Sequence, residues 1–174
     1  SSDVCSSDLA LALPEGSKRM LLAPVIRERK GEHLALFEEL RARTAGGEAP
    51  RVLLLSPGTR RDFGARQTFA ANLLAVAGIG ADLAEGVDAD GAAEAARSGG
   101  HTVAVLATSP KVNASVGADV IAALRDAGVG TIVLAGRTAE LGDGDHDVLE
   151  AREGVDVVAL LSDLLDRLTE GDAR

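Results

Sequence analysis

Apolar positions change their spacing near residue 50. Before it, GEHLALFEELRART (Gly31–Thr44) sets Leu34, Phe37 and Leu40 on one side of a helix, with Glu38, Glu39 and Arg41 off that side. AGGEAP (Ala45–Pro50) is a linker by its Gly and Pro content. Beyond it, short unbroken apolar runs predict strands at Val52–Leu55, Ala81–Ala84, Thr102–Ala107, Thr131–Ala135 and Val155–Leu160. Ala-rich stretches predict helices over Asp62–Ala77, Ala89–Ser98 and Ala114–Ala127, a weak one around His146–Ala151, and a last one over Ser162–Thr169. Gly78, Gly99, Gly128 and Gly154 stand where helices should stop. Strands alternating with helices imply a parallel sheet, and runs without polar alternation imply a sheet covered on both faces. The expected fold is α/β: a five-stranded doubly wound parallel sheet of flavodoxin-like type. Another α/β strand order is the alternative.

Composition narrows this picture. The chain is 46% hydrophobic but 2% aromatic, with no Trp or Tyr, so its core must be built from Ala, Val and Leu. Such residues let helices lie close on a sheet. Its 174 residues suit one domain with a real core. A net charge of −9 argues against nucleic acid or an anionic membrane as partner. No apolar run approaches the ~20 residues of a membrane span, and no signal-peptide pattern is visible, so a cytoplasmic protein is expected. The single cysteine, Cys5, rules out an intrachain disulfide and a cysteine zinc cluster. It lies in SSDVCSSDL (Ser1–Leu9), which reads as the in-frame translation of a sequencing adapter and is set aside as an artefact. On that reading the natural protein continued upstream, and residues 10–50 connect to a domain missing from this chain.

In a doubly wound sheet, ligands bind beyond the carboxyl ends of the strands, where the winding reverses. The loops to test are Ser56–Asp62, Thr108–Asn113, Gly136–Asp145 and the one after Leu160. Gly58 and Gly64 do not make the dinucleotide spacing G-x-G-x-x-G, and no G-K-[S/T] marks a P-loop. Ser56, Gly58 and Thr59 could meet a flavin phosphate at a helix N-terminus, but no Trp or Tyr exists to sandwich the ring. Ala107 and Thr108 stand where a phosphoacceptor receiver would carry an aspartate. His33, His101 and His146 are scattered and read as ordinary surface or loop histidines, so no nucleophile, base and orienter assemble. The Arg60–Arg61 pair at a helix start could meet an anion but reads as a solvated or interface pair. LGDGDHD (Leu141–Asp147) lacks the twelfth-position glutamate of a calcium loop and reads as an acidic turn.

Taken in order, FEELRA, RVLLLSPGTRRDFGARQTFAANLLAVAGI, VAVLATSP, IVLAGR and LLSDLLDRL resemble the cobalamin-binding domain of methylmalonyl-CoA mutase, more specifically that of its small subunits. The resemblance runs from about Glu32 to Leu168. In that family the first loop carries D-x-H-x-x-G, whose histidine is the lower axial ligand of cobalt and whose aspartate orients it. Anchored on GAR (Gly64–Arg66), the family glycine falls on Gly64, the histidine position on Arg61 and the aspartate position on Thr59. The serine of the second motif, S-x-L, falls on or beside Thr108 and Ser109, with Pro110 in place of leucine. The glycine pair of the third motif retains Gly136, preceded by Ala135.

A cobalt ligand needs a free lone pair. The Arg61 guanidinium has none and stays charged at physiological pH, and Thr59 cannot supply an orienting carboxylate. The resemblance therefore implies a degenerate site in a non-catalytic small subunit. Adenosylcobalamin would belong to the complex and not to this chain, and the partner would be the catalytic large subunit of a heterodimer converting methylmalonyl-CoA to succinyl-CoA. Residues 10–50 would end a lost barrel domain and 51–174 would form the cobalamin-binding-like domain. Two alternatives stand beside it: a carrier holding cobalamin with its own base on cobalt, and an unrelated flavodoxin-like interaction domain.

Overall fold

A computed structural model describes residues 32–172. The adapter-like start and most of the expected connector lie outside the described residues. Helix α1 (Glu32–Thr44) leads into β1 (Arg51–Ser56), α2 (Arg60–Val76), β2 (Gly80–Glu85), α3 (Ala89–Gly99) and β3 (Val103–Leu106). A single turn (Pro110–Val112) and a π-helical segment (Asn113–Gly117) then run into α4 (Ala118–Asp126). After β4 (Thr131–Leu134) come a 3-10 turn (Thr138–Leu141), β5 (Leu149–Glu150) and α5 (Val157–Asp172).

The five strands form one sheet in the order β2-β1-β3-β4-β5, and every pairing is parallel. This is the doubly wound, flavodoxin-like arrangement that the apolar runs predict. Alternate side chains divide the core in two. Val52, Leu54, Val103, Val105 and Val133 pack with Leu40 of α1, Leu73 and Leu74 of α2, and Leu161 and Leu164 of α5. Leu53, Leu55, Ala104, Leu106, Ile132 and Leu134 pack with Ala92 and Ala96 of α3 and Val120, Ile121 and Leu124 of α4. Small residues on α3 let that helix lie close to the sheet. Asp88 caps its start by accepting from the Gly91 N–H at 2.9 Å, and Gly100, at φ +62°, ends it.

Four strands fall where the apolar runs place them; the fifth does not. Val155–Leu160 is not a strand. Asp156 Oδ1 accepts from the Ala159 N–H at 3.0 Å, and Leu160, Leu161, Leu164, Leu165 and Leu168 then form a buried stripe along α5. The 3.6-residue period shows only when the run is read on to Leu168. The helix expected around His146–Ala151 is likewise absent. That stretch is loop and the two-residue β5, so the fourth strand-end loop follows Glu150, not Leu160. Gly99 is the last residue of α3, with Gly100 taking the left-handed cap, and Gly154 (φ +86°) serves a turn before α5. On α1, Leu40 is buried and Phe37 partly so, but Leu34 is 63% exposed and stands off the shared apolar face. Among the described residues, no helix is long and apolar enough to cross a membrane.

Candidate functional site

The winding reverses between β1 and β3. β1 feeds α2 on one face of the sheet, while β3 feeds α4 on the other, which opens a crevice at their carboxyl ends. All six family positions lie on the segments around this edge. Thr59 and Arg61 are exposed, at and just inside the start of α2. Gly64 follows in the first turns of the helix, with nothing within 4 Å of where a Cβ would be. Thr108 is fully buried, and its hydroxyl donates to the Pro57 carbonyl at 2.7 Å, tying the first two loops together. Ser109 starts the Pro110–Val112 turn, its Oγ accepting from the Val112 N–H at 3.4 Å. Gly136 is buried just past β4.

The start of α2 is satisfied from within the chain. Asp62 Oδ2 accepts from the Thr59 N–H at 2.9 Å and from the Thr59 hydroxyl at 2.6 Å. These bonds hold the Asp62 carboxyl below its usual value. A carboxylate of the chain thus already sits where an anion would be drawn by the free N–H groups. Gly58, at φ +93°, makes this tight entry possible, because a Cβ there would sit 3.2 Å from both Asp62 and Val112.

Deeper in the crevice lies a group that sequence reasoning missed. Arg66 of α2 reaches Glu140 of the 3-10 turn with both nitrogens, Nη1 to Oε2 at 2.5 Å and Nη2 to Oε1 at 2.8 Å. The same Nη1 donates to the Thr108 carbonyl at 2.9 Å. Asn113, on the π-helical segment, donates from Nδ2 to Glu140 Oε2 at 2.9 Å. The Arg137 N–H adds a longer bond to Oε1 at 3.3 Å. Burial raises the Glu140 carboxyl's pKa, but donation by Arg66 and Asn113 outweighs it, and the net shift is downward. Glu140 stands four residues after Gly136, and Asn113 is the lone amide in an Ala-rich stretch. Those were the available signals, and neither is specific.

Nearby, Glu150 at the end of β5 accepts from the Arg152 guanidinium at 2.7 Å and from the Thr138 N–H and hydroxyl at 2.7 and 2.8 Å. Together these pull its carboxyl down to about 2. Ser56 Oγ and Asn113 Oδ1 are buried without a hydrogen-bond partner among the described residues. Ser56 has no exposed surface, so it lies beneath the loop and not on it.

The histidines divide by position. His101 lies at the amino edge of the sheet, with Nε2 3.4 Å from Asp82 Oδ2. His146 is partly buried in the loop before β5. The LGDGDHD turn holds Asp147 at φ +42°, its carbonyl accepting from Arg125 at 2.6 Å. Among the described residues, no group of three or more His, Cys, Asp or Glu is placed to hold a metal. A groove of about 530 Å³ runs between α3 and α4, past Asp90, Glu94, Arg97 and Asp126.

Relatives give this edge its context. The methylmalonyl-CoA mutase small subunit of Propionibacterium freudenreichii subsp. shermanii is 39% identical over 142 residues, 76% of this chain and 22% of that protein. The probable small subunit of Mycobacterium bovis is 40% identical over 147 residues, 82% of this chain and 22% of the relative. This chain is homologous to methylmalonyl-CoA mutase small subunits. It spans about a fifth of their length, 22% in both cases.

A second similarity lies at the other end. Residues 6–44 match the family model described as the UvrA interaction domain. The UvrABC system protein A of Pseudomonas aeruginosa is 83% identical over 35 residues, 20% of this chain and 4% of that protein. A match to mutase subunits over 82% of the chain leaves too few residues outside it to hold all of 6–44, so the two similarities meet on α1.

At the family's ligand and orienter positions this edge offers cobalt no imidazole. The ligand and orienter positions hold Arg61 and Thr59, neither able to give cobalt an imidazole-like lone pair. The space beside Gly136 is filled, since a Cβ there would lie 2.6 Å from Arg66 Nη1 and 2.8 Å from Glu140 Oε2.

Proposed function

We propose that this domain is the cobalamin-binding-like part of a methylmalonyl-CoA mutase small subunit that has kept the fold and lost the cofactor. Its role is structural. In the complete protein it would stand beside a catalytic large subunit that binds adenosylcobalamin and interconverts methylmalonyl-CoA and succinyl-CoA, in the cytoplasm. Residues 51–174 would form the domain. Helix α1 would be the end of a connector from an upstream barrel.

The observation that carries this reading is the crevice at the strand ends, occupied by the chain's own Arg66, Glu140 and Asn113 where a cofactor would need room. Docking of α1 supports the connector. Leu40 is buried in the core beside α2 and α5, and Arg41 Nε donates to the Val76 carbonyl at 3.0 Å. An imidazole-free cradle supplies no cobalt ligand, and a cofactor's carbon–cobalt chemistry is its own, so a domain without it contributes position and enclosure only.

Co-expression of the complete small subunit with its large partner tests the role. Loss of the large subunit's stability or activity without the small one is expected. A large subunit that is stable and fully active alone would refute the proposal.

A further inference from the structure

We propose that the Arg66–Glu140–Asn113 network is an internal stand-in for a ligand: it holds the strand ends together without a cofactor and occupies the room beside Gly136. The proposal rests on the reading above that the cradle holds no cobalamin.

Three segments, two of them far from Glu140 along the chain, meet at one carboxylate. Arg66 comes from α2, Asn113 from the π-helical segment, and the Arg137 N–H and Glu140 itself from the turn after β4; the Thr108 carbonyl, beyond β3, is tied in through Arg66. The partners are 74 and 27 residues from Glu140 along the chain. A bound cofactor would span the same strand ends. Glu140 is also saturated: it accepts four donors, two on each oxygen, which uses the capacity of a carboxylate. Such a group is not waiting for a ligand.

Asn113 is delivered by an irregular turn. A π-helical segment is rare and is found where a side chain must be re-aimed. Here it brings an amide that is 1% exposed onto Glu140. The amide must point Nδ2 at the carboxylate, since the reverse would set oxygen against oxygen. The pair itself is shielded, with side-chain exposures of 24% for Arg66 and 15% for Glu140. A bidentate, walled-off pair of this kind rigidifies the segments that carry it.

The test uses the full 174-residue chain and three readouts: thermal unfolding, residue-resolved amide exchange, and the visible spectrum of added hydroxocobalamin. Glu140→Gln should lower Tm by about 5 °C or more. Exchange should speed up first at Asn113–Gly117 and Thr138–Leu141, ahead of the sheet. Arg66→Ala with Glu140→Ala should cost less than the two single changes summed. If Glu140→Gln does not fold, Asn113→Ala carries the same exchange readout. Wild type should leave the hydroxocobalamin spectrum unchanged.

Additive mutational effects, or unchanged exchange at the two turns, overturn the stand-in while leaving the emptied cradle untouched. Saturable hydroxocobalamin binding by wild type overturns both.

Discussion

The sheet has an ion pair at each end, and the two could hardly be less alike. At the amino edge, Arg51 Nε donates to both oxygens of Asp82 at 3.0 and 2.9 Å, with His101 3.4 Å away. The Arg51 and Asp82 side chains are 51% and 39% exposed, and the pair joins two adjacent strands already held by their ladder. At the carboxyl edge the same two chemical groups are shielded and tie together segments 74 residues apart along the chain. Water competes at the first edge and is largely excluded from the second. Guanidinium and carboxylate therefore contribute little in one place and organise structure in the other.

Breaking the carboxyl-edge pair should give the largest effect. Glu140→Ala strands a shielded guanidinium and should cost about 2–4 kcal/mol in denaturant unfolding. Next come two glycines on opposite sides of the argument. Gly136→Ala forces a methyl against the ends of Arg66 and Glu140 and should cost about 1–3 kcal/mol. Gly64→Ala meets open space within a helix and should stabilise by about 0.5–1 kcal/mol. A destabilised Gly64→Ala protein would show that this edge is not the closed structure described.

Acid should sharpen the contrast further. Glu150 is held at about 2 against an ordinary 4.5, chiefly by Arg152 and then by Thr138. A carboxyl depressed in the folded state stabilises fully above its unfolded value, and that contribution drains away as pH falls toward about 2. Glu150→Gln should therefore flatten the stability curve between about pH 4.5 and 2, measured by urea midpoints, its cost being largest at neutral pH and fading as the pH approaches 2. Smallest of all, Arg51→Ala should leave the neutral unfolding midpoint within experimental scatter.

The sheet was readable because β1, β3 and β4 are apolar runs, and β2, though interrupted by Asp82, is bounded by Gly80 and Gly86. β5 was not, because two residues leave no run to detect. Its place was given instead to Val155–Leu160, whose apolar residues belong to the stripe of α5; a six-residue window cannot tell a buried strand from the first turns of a buried helix. The family positions Thr59, Arg61, Gly64, Thr108, Ser109 and Gly136 came from ordered resemblance, and the fold does set them around one edge. The Arg66–Glu140–Asn113 group was illegible for a different reason. Its members are made neighbours by strand order alone, and no local spacing encodes a contact across 74 residues.

Helix α1 carries two kinships, matched by a UvrA interaction domain model on one side and by mutase small subunits on the other. Its fit to the domain includes Leu40 in the core with Phe37 packed against it, Arg41 on the Val76 carbonyl, the Thr44 hydroxyl donating to the Ala77 carbonyl at 3.3 Å, and Arg43 against Asp166.

β2 ends the sheet, and among the described residues no strand pairs with its outer rim. Leu83 stands there 58% exposed, the kind of residue on which another chain's strand could begin to stack. Asp82 and Glu85 flank it, one engaged by Arg51 and the other accepting from Gln67 at 2.8 Å. An incoming strand would have to strip water and partners from two carboxylates to reach one leucine. An acidic residue on either side of Leu83 therefore makes this open rim a poor template for a further strand.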